Sequence, residues 1–303
     1  MSIGNFPAGI PLKTLVFAGV VAVMLTYMST TFELQALNSA VCTANEWEQA
    51  ATAFEQGENG FNGRCLSTGG GFLDEQQREF MIQMAKDEAV LARQQVDEFH
   101  AEFIDDIWAK AAAGVASPAM TIFAIVFAST AAGAVMETGT AAWSLSNGWH
   151  RRKWIATFLG LTAAVILAAF LVLVVVYMVV MAFRIQGLGL AFELGAPGLL
   201  AITAIPGVLF YGALAFVVGI LLKSQILALL TVVAISVVDY AGGNFIGNRE
   251  LIPSILQRAA VDDPSTRLTP WVAASILLGM AAALAAGIRW HFINRMDVPD
   301  RPQ

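Results

Sequence analysis

The sequence predicts an all-α, polytopic membrane protein with about six transmembrane helices and a helical extracytoplasmic domain after the first. Three observations carry this. The chain is 57% hydrophobic but only 13% charged, with a mean hydropathy of +0.66, whereas soluble domains carry roughly 25% charged residues. Five uncharged runs, Thr14–Phe32, Ala111–Met136, Trp154–Phe183, Leu194–Leu222 and Leu268–Ile288, reach or approach the ~20 apolar residues that cross a bilayer. A sixth run starts at Ser224 and meets Asp239 early. Finally, the acidic residues are concentrated in one place. Residues 31–116 hold fifteen Asp/Glu against five Lys/Arg, while the rest of the chain is net positive.

The elements divide the chain into residues 1–32 (N-terminus and first span), 33–116 (extracytoplasmic helical domain) and 117–303 (a five-helix transmembrane domain). The first span has Lys13 at its edge. It reads as an uncleaved helix rather than a signal peptide, because the small residues Ala36, Ser39 and Ala40 lie far from its apolar core. By the positive-inside rule, eight of the seventeen Lys/Arg fall in the short loops on one side, which also holds both termini. That side is expected to be cytoplasmic, in the plasma membrane, with residues 33–116 outside.

The acidic segment contains Cys42 and Cys65, the two cysteines of the chain. Outside the cell they read as a disulfide, with two free thiols as the alternative. No histidine lies close enough in sequence to favour a metal pair. From about Leu73 to Ala113 the pattern is helical. Gly69-Gly70-Gly71 precedes it as a breaker, Asp74 can cap it, and Phe80, Met84, Leu91, Phe99, Phe103 and Ile107 form a stripe read as a packed face rather than a substrate groove. Ser117-Pro118 marks a helix start or kink. Residues 184–193 read as a compact turn, and Asn248–Ala260 as a short surface helix with Leu251, Ile255 and Leu256 toward the membrane. Asp239 is expected at the outer end of its helix as a solvated carboxylate.

Much chemistry is missing. There is no phosphate loop, no His-Glu-x-x-His helix and no nucleophile elbow. The spans hold no histidine for haem and no paired acids for intramembrane proteolysis. No region reads as a nucleic-acid surface. The expectation is a chain that is not an enzyme and holds no cofactor or metal.

The most informative text is the polar interruption at 137–153. Glu137 ends an uncharged run, Gly139 and Thr140 allow a turn, and Gly148 is a helix stop. Trp143, Trp149 and Trp154 suit an interface, and Arg151, Arg152 and Lys153 hold the next span on the inside. On physics alone this is a positive-inside loop with aromatic anchors.

Its order of residues, Glu137-x-Gly139-Thr140, Trp143-Ser-Leu-Ser146-Asn147, then Arg152-Lys153-Trp154 and a long apolar run, resembles the loop between the second and third helices of type-2 ABC-transporter permeases, the drug- and polysaccharide-exporter kind. The likeness is closest to actinobacterial members. A second stretch, Phe210-Tyr-Gly through Gly219 and Lys223 to Ala228, resembles their fourth helix, basic turn and fifth helix. Together these cover residues from about 121 to 238. The resemblance implies the membrane half of a transporter that exports an amphiphilic or hydrophobic substrate. It would pair with a second permease, the same or related, and with a separate ATP-binding subunit that carries ATP and Mg. Glu137, Gly139, Thr140, Trp143, Arg151, Arg152 and Lys153 would then form the ATPase-coupling loop. Glu137 and Arg151/Arg152 would make polar contacts to the ATPase or within the loop, and Gly139 and Thr140 would shape its turn. The family's basic amphipathic elbow is shortened or missing here, since Met1–Pro11 carries no charged side chain. The rival reading is a non-transporting membrane scaffold or assembly subunit whose acidic outer domain binds partner proteins.

Overall fold

A computed structural model describes residues 12–68, 73–105, 107–194, 200–245, 253–260 and 268–295. The glycine breaker at 69–71, the Met1–Pro11 segment and the part of the expected surface helix before Pro253 lie outside them. The described residues are helical throughout, apart from turns and one isolated antiparallel bridge, Asn62 to Ser67. In chain order the helices are α1 (Leu12–Glu33), α2 (Gln35–Glu55), α3 (Glu75–Asp105), α4 (Ile107–Gly114), α5 (Thr121–Glu137), α6 (Thr140–Ser146), α7 (Arg151–Gly187), α8 (Leu200–Thr203), α9 (Ile205–Leu222), α10 (Gln225–Phe245), α11 (Pro253–Ala260) and α12 (Pro270–Asn294). A π-helical turn, Val115–Met120, joins α4 to α5 and contains Pro118, which has no N–H to donate. The kink expected at Ser117-Pro118 therefore takes the form of a widened turn within a continuing helix.

Among the described residues four helices are long and apolar enough to cross a membrane: Val16–Glu33, Arg151–Gly187, Ile205–Leu222 and Pro270–Asn294. A fifth joins them if α5 and α6, bent by 60°, form one span. The apolar part of α10, Gln225–Asp239, is shorter. Against the expected six, the helices themselves account for four to five. Helix α7 has 37 residues, roughly 55 Å at 1.5 Å per residue. It is much longer than a ~30 Å hydrocarbon core requires, and it takes up the first part of the turn expected at 184–193.

The chain forms two compact units. One comprises Met1–Tyr27, Trp108–Met178 and Pro197–Gln303, and the other Met28–Ile107 with Val179–Ala196. In the first, α5 is buried on every side, from Phe123 through Val135 apart from Val126. A helix apolar all round belongs in such a central position. It packs on α9 through small residues. A Cβ placed on Gly219 would stand 2.7 Å from Ala132 Cβ and 2.9 Å from the Ser129 carbonyl. An aromatic layer of Trp154, Phe158, Phe216 and Phe292, with centroids 5.1–5.3 Å apart, joins α7, α9 and α12.

In the second unit α2 and α3 pack together around Ala50, Ala51, Phe54 and Ala85, ringed by Trp47, Phe61, Leu66, Met81 and Ile82. The face that α3 buries is Ala85, Ala89, Ala92, Val96 and Phe103. Phe80, Leu91 and Phe99 of the expected packed stripe are exposed, while Phe103 and Ile107 are buried. The stripe therefore splits. A row of alanines lets α2 approach closely, and Phe80, Leu91 and Phe99 lie off that face.

Candidate functional site

The loop at 137–153 is built from two turns and a short helix. Thr138 ends α5, its N–H and its Oγ1 both donating to the Ala134 carbonyl (2.9 and 2.7 Å). The chain reverses at Gly139, where φ is +71°, and again at Gly148, where φ is +87°. Side chains rarely tolerate that region, so both glycines stand where the turn needs them. Between them α6 leaves the axis of α5 by 60°. The Trp143 carbonyl accepts bonds from Asn147 N, Ser146 Oγ and Asn147 Nδ2 (2.8–3.1 Å), which closes the end of α6. The Thr138 and Thr140 hydroxyls lie 2.7 Å apart across the first turn.

The expected site residues divide by exposure. Trp143 is 57% exposed, and Arg152, Lys153 and Glu137 are exposed too. Trp149 is half-buried beneath the Lys153 ammonium, 5.9 Å from its ring centroid, a cation–π distance. Arg151 opens α7. Trp154 departs from expectation. It is 3% exposed and stacks on Phe292, so it is a core residue of the bundle and not an interfacial anchor.

Glu137 reaches across to another element. Its Oε2 accepts the Gln225 N–H at 3.1 Å, capping the start of α10. A carboxylate there also meets the positive end of the helix dipole. One turn earlier on α5, Gly133 lies against the Ser224 and Gln225 backbone, closer than any Cβ would permit (2.8–2.9 Å). Lys223, the one described non-glycine residue with positive φ (53°), turns the chain there, and its N–H donates to the Gly219 carbonyl. Gly133 and Glu137 thus form a seat for the α9–α10 turn. The two stretches singled out in the sequence meet at this seat.

The second unit holds the cysteines. Cys42 on α2 and Cys65 in the following loop stand at disulfide distance, 2.04 Å between sulfurs. Beside them lies Glu46, a residue the sequence reading missed. It is 9% exposed. Its Oε1 accepts the Arg64 N–H (2.7 Å), and its Oε2 accepts those of Cys65 and Leu66 (2.7 and 2.6 Å). Burial pushes this carboxyl up, but the three backbone donors and the Arg64 charge outweigh it. They hold Glu46 below its ordinary 4.5. The loop is stiffened by Gly63 N to Leu66 O (2.8 Å) and Thr68 N to Phe61 O (2.8 Å). A Cβ on Gly63 would overlap the Glu46 carboxylate. In the sequence Glu46 is one of fifteen acids in an acidic segment, and only its i, i+4 spacing from Cys42 could have marked it.

Asp239 is engaged rather than simply solvated. Its Oδ2 accepts the Tyr211 hydroxyl of α9 at 2.5 Å, and its Oδ1 accepts the Ser254 hydroxyl of α11 at 3.2 Å. Gln257 of α11 donates to the Ala116 carbonyl and to Thr121 Oγ1, both at 3.1 Å. It fills the opening that the π turn leaves. No family model matches the chain, and no curated protein or solved structure matches it significantly.

Proposed function

We propose that this chain is the membrane-spanning permease subunit of an ABC transporter, exporting an amphiphilic or hydrophobic substrate. In this reading six spans place both termini in the cytoplasm and residues 33–116 outside the plasma membrane. The energy comes from ATP and Mg bound in a separate ATPase subunit, and a second permease, the same or related, completes the transporter.

The observation that supports it most is the seat at Gly133 and Glu137. A docking loop must transmit force, so its contact surface has to be joined to the helices that move. Here α6 offers Trp143 outward while Glu137 grips the α9–α10 turn at 3.1 Å. A push on α6 therefore reaches α5, α9 and α10 together. Arg152 and Lys153 add positive charge to the same loop.

The test is copurification with an ATPase that carries a phosphate loop. Substituting Glu137→Ala together with Arg152→Ala is expected to abolish the stimulated hydrolysis while the permease stays folded. A stable purified complex that contains no ATPase would overturn the reading. That result would favour a non-transporting scaffold, for which the exposed Phe80, Leu91 and Phe99 on α3 offer a partner-binding face.

A further inference from the structure

We propose that Cys42, Glu46 and Cys65 form a redox-gated site for a zinc-class ion, which binds when the cysteines are reduced. The ligand atoms of the three residues all lie within 4.8 Å of one another. Cys42 and Glu46 share one face of α2 at i and i+4, and Cys65 comes from the loop. Two thiolates and a carboxylate are a ligand set zinc accepts, with water in the fourth position. Cys65 is exposed, which leaves a side open for that water and for entry of the ion.

Glu46 is prepared for the role. Ligating carboxylates are held by hydrogen bonds of their own, and those bonds set their direction. Three backbone N–H groups do so here. Its Oε1 accepts only one of them, and the Cys42 sulfur lies 3.8 Å from that oxygen. In a tetrahedral site with Zn–S of ~2.3 Å the two sulfurs stand about 3.8 Å apart. The Cα atoms are 6.0 Å apart, so side-chain rotation can reach that spacing without unfolding α2.

The chemistry balances with an external thiol reductant. Two reductant thiols become one disulfide, and their two electrons and two protons convert the Cys42–Cys65 bond to two thiols. Zinc then displaces both thiol protons. The ion would replace the covalent tie between α2 and the loop, so the loop would stay anchored in either state. The site is complete within the second unit.

The full chain in detergent would be stripped with a chelator, reduced with a phosphine under argon and titrated with Zn²⁺ against a chromophoric competitor. One ion per chain is expected after reduction and none before. Cobalt in place of zinc is expected to show sulfur-to-metal charge transfer of two-thiolate intensity, lost in the variant Cys42→Ser/Cys65→Ser. Glu46→Gln is expected to weaken binding about tenfold or more. If that variant misfolds, the cobalt spectra of the wild type and the cysteine variant decide. A reduced protein with two countable free thiols that binds no zinc, or zinc binding that survives Cys42→Ser/Cys65→Ser, would overturn the proposal.

Discussion

The two units are held together by opposite means. In the apolar unit close approach depends on the absence of side chains: Gly219 brings α9 against the backbone of α5, and Gly133 brings α5 against the backbone at the start of α10. In the other, a cysteine pair and a buried carboxylate tie α2 to the 57–68 loop, and surface ion pairs join α2 to α3. The difference follows from the solvent each composition suits. Lipid is as apolar as leucine, so helices within it gain little from hydrophobic burial and rely on close packing of small residues. An acidic, charged segment buries little apolar area and compensates with cross-links and hydrogen bonds to charge.

Substitutions can break that contrast. The largest effect is expected from Gly219→Val. A Cβ at Gly219 would stand only 2.7 Å from Ala132 Cβ, and overpacking there should cost about 3 kcal/mol or more. Thermal unfolding in detergent would measure it, with Gly279→Ala as the control, because nothing lies within 4 Å of Gly279. If Gly219→Val is as stable as the control, α5 and α9 are not joined by that close approach.

Cys42→Ser should cost the second unit about 3 kcal/mol, given a loop separation of 23 residues. Limited proteolysis between Gly57 and Thr68 would report it, with the Gly219 packing unaffected. Equal cleavage of variant and wild type would mean that Glu46 and the backbone hold the loop without the cysteines.

Glu46→Gln should lower the melting temperature of the second unit by a smaller amount, and the loss should depend on pH. A carboxyl held below its ordinary value stabilises the folded state fully above 4.5 and loses this as pH falls through its folded value. The gap between wild type and variant is therefore expected to be constant above pH 4.5 and to close below it. A gap independent of pH would mean that the loop recognises the shape of the side chain and not its charge.

The smallest effect is expected from Lys86→Ala. Its pair with Glu55 is 2.7 Å long, but both side chains are about half exposed (52% and 49%). Such pairs contribute about 0.2–1 kcal/mol. A loss of more than 1 kcal/mol in chemical denaturation would show that the α2–α3 pairing depends on surface charge more than this account allows.

Several features were legible in the sequence. Apolar runs gave the positions of α1, α7, α9 and α12, because helix membership of a long uncharged run depends on the run alone. Gly139 and Gly148 marked both turns of the loop, since left-handed backbone is a local demand. Other features were not legible. The stripe on α3 has the spacing of a packed face, yet an alanine row on another side is what α2 contacts. Trp154 looked like its exposed neighbour Trp143, and only the position of Phe292 makes it a core residue. Asp239 acquired partners 28 and 15 residues away.

The sequence by itself determined the class of the protein, the segments that suit a membrane, the acidic segment with its two cysteines and the ends of the 137–153 loop. Each follows from composition or from conformational limits within a few residues. Tertiary structure alone decided that Glu137 caps α10, that Glu46 fills the loop beside the cysteines, and that Gln257 closes the π turn. Each of those depends on a distance between residues far apart in the chain, and no local property of either partner encodes it.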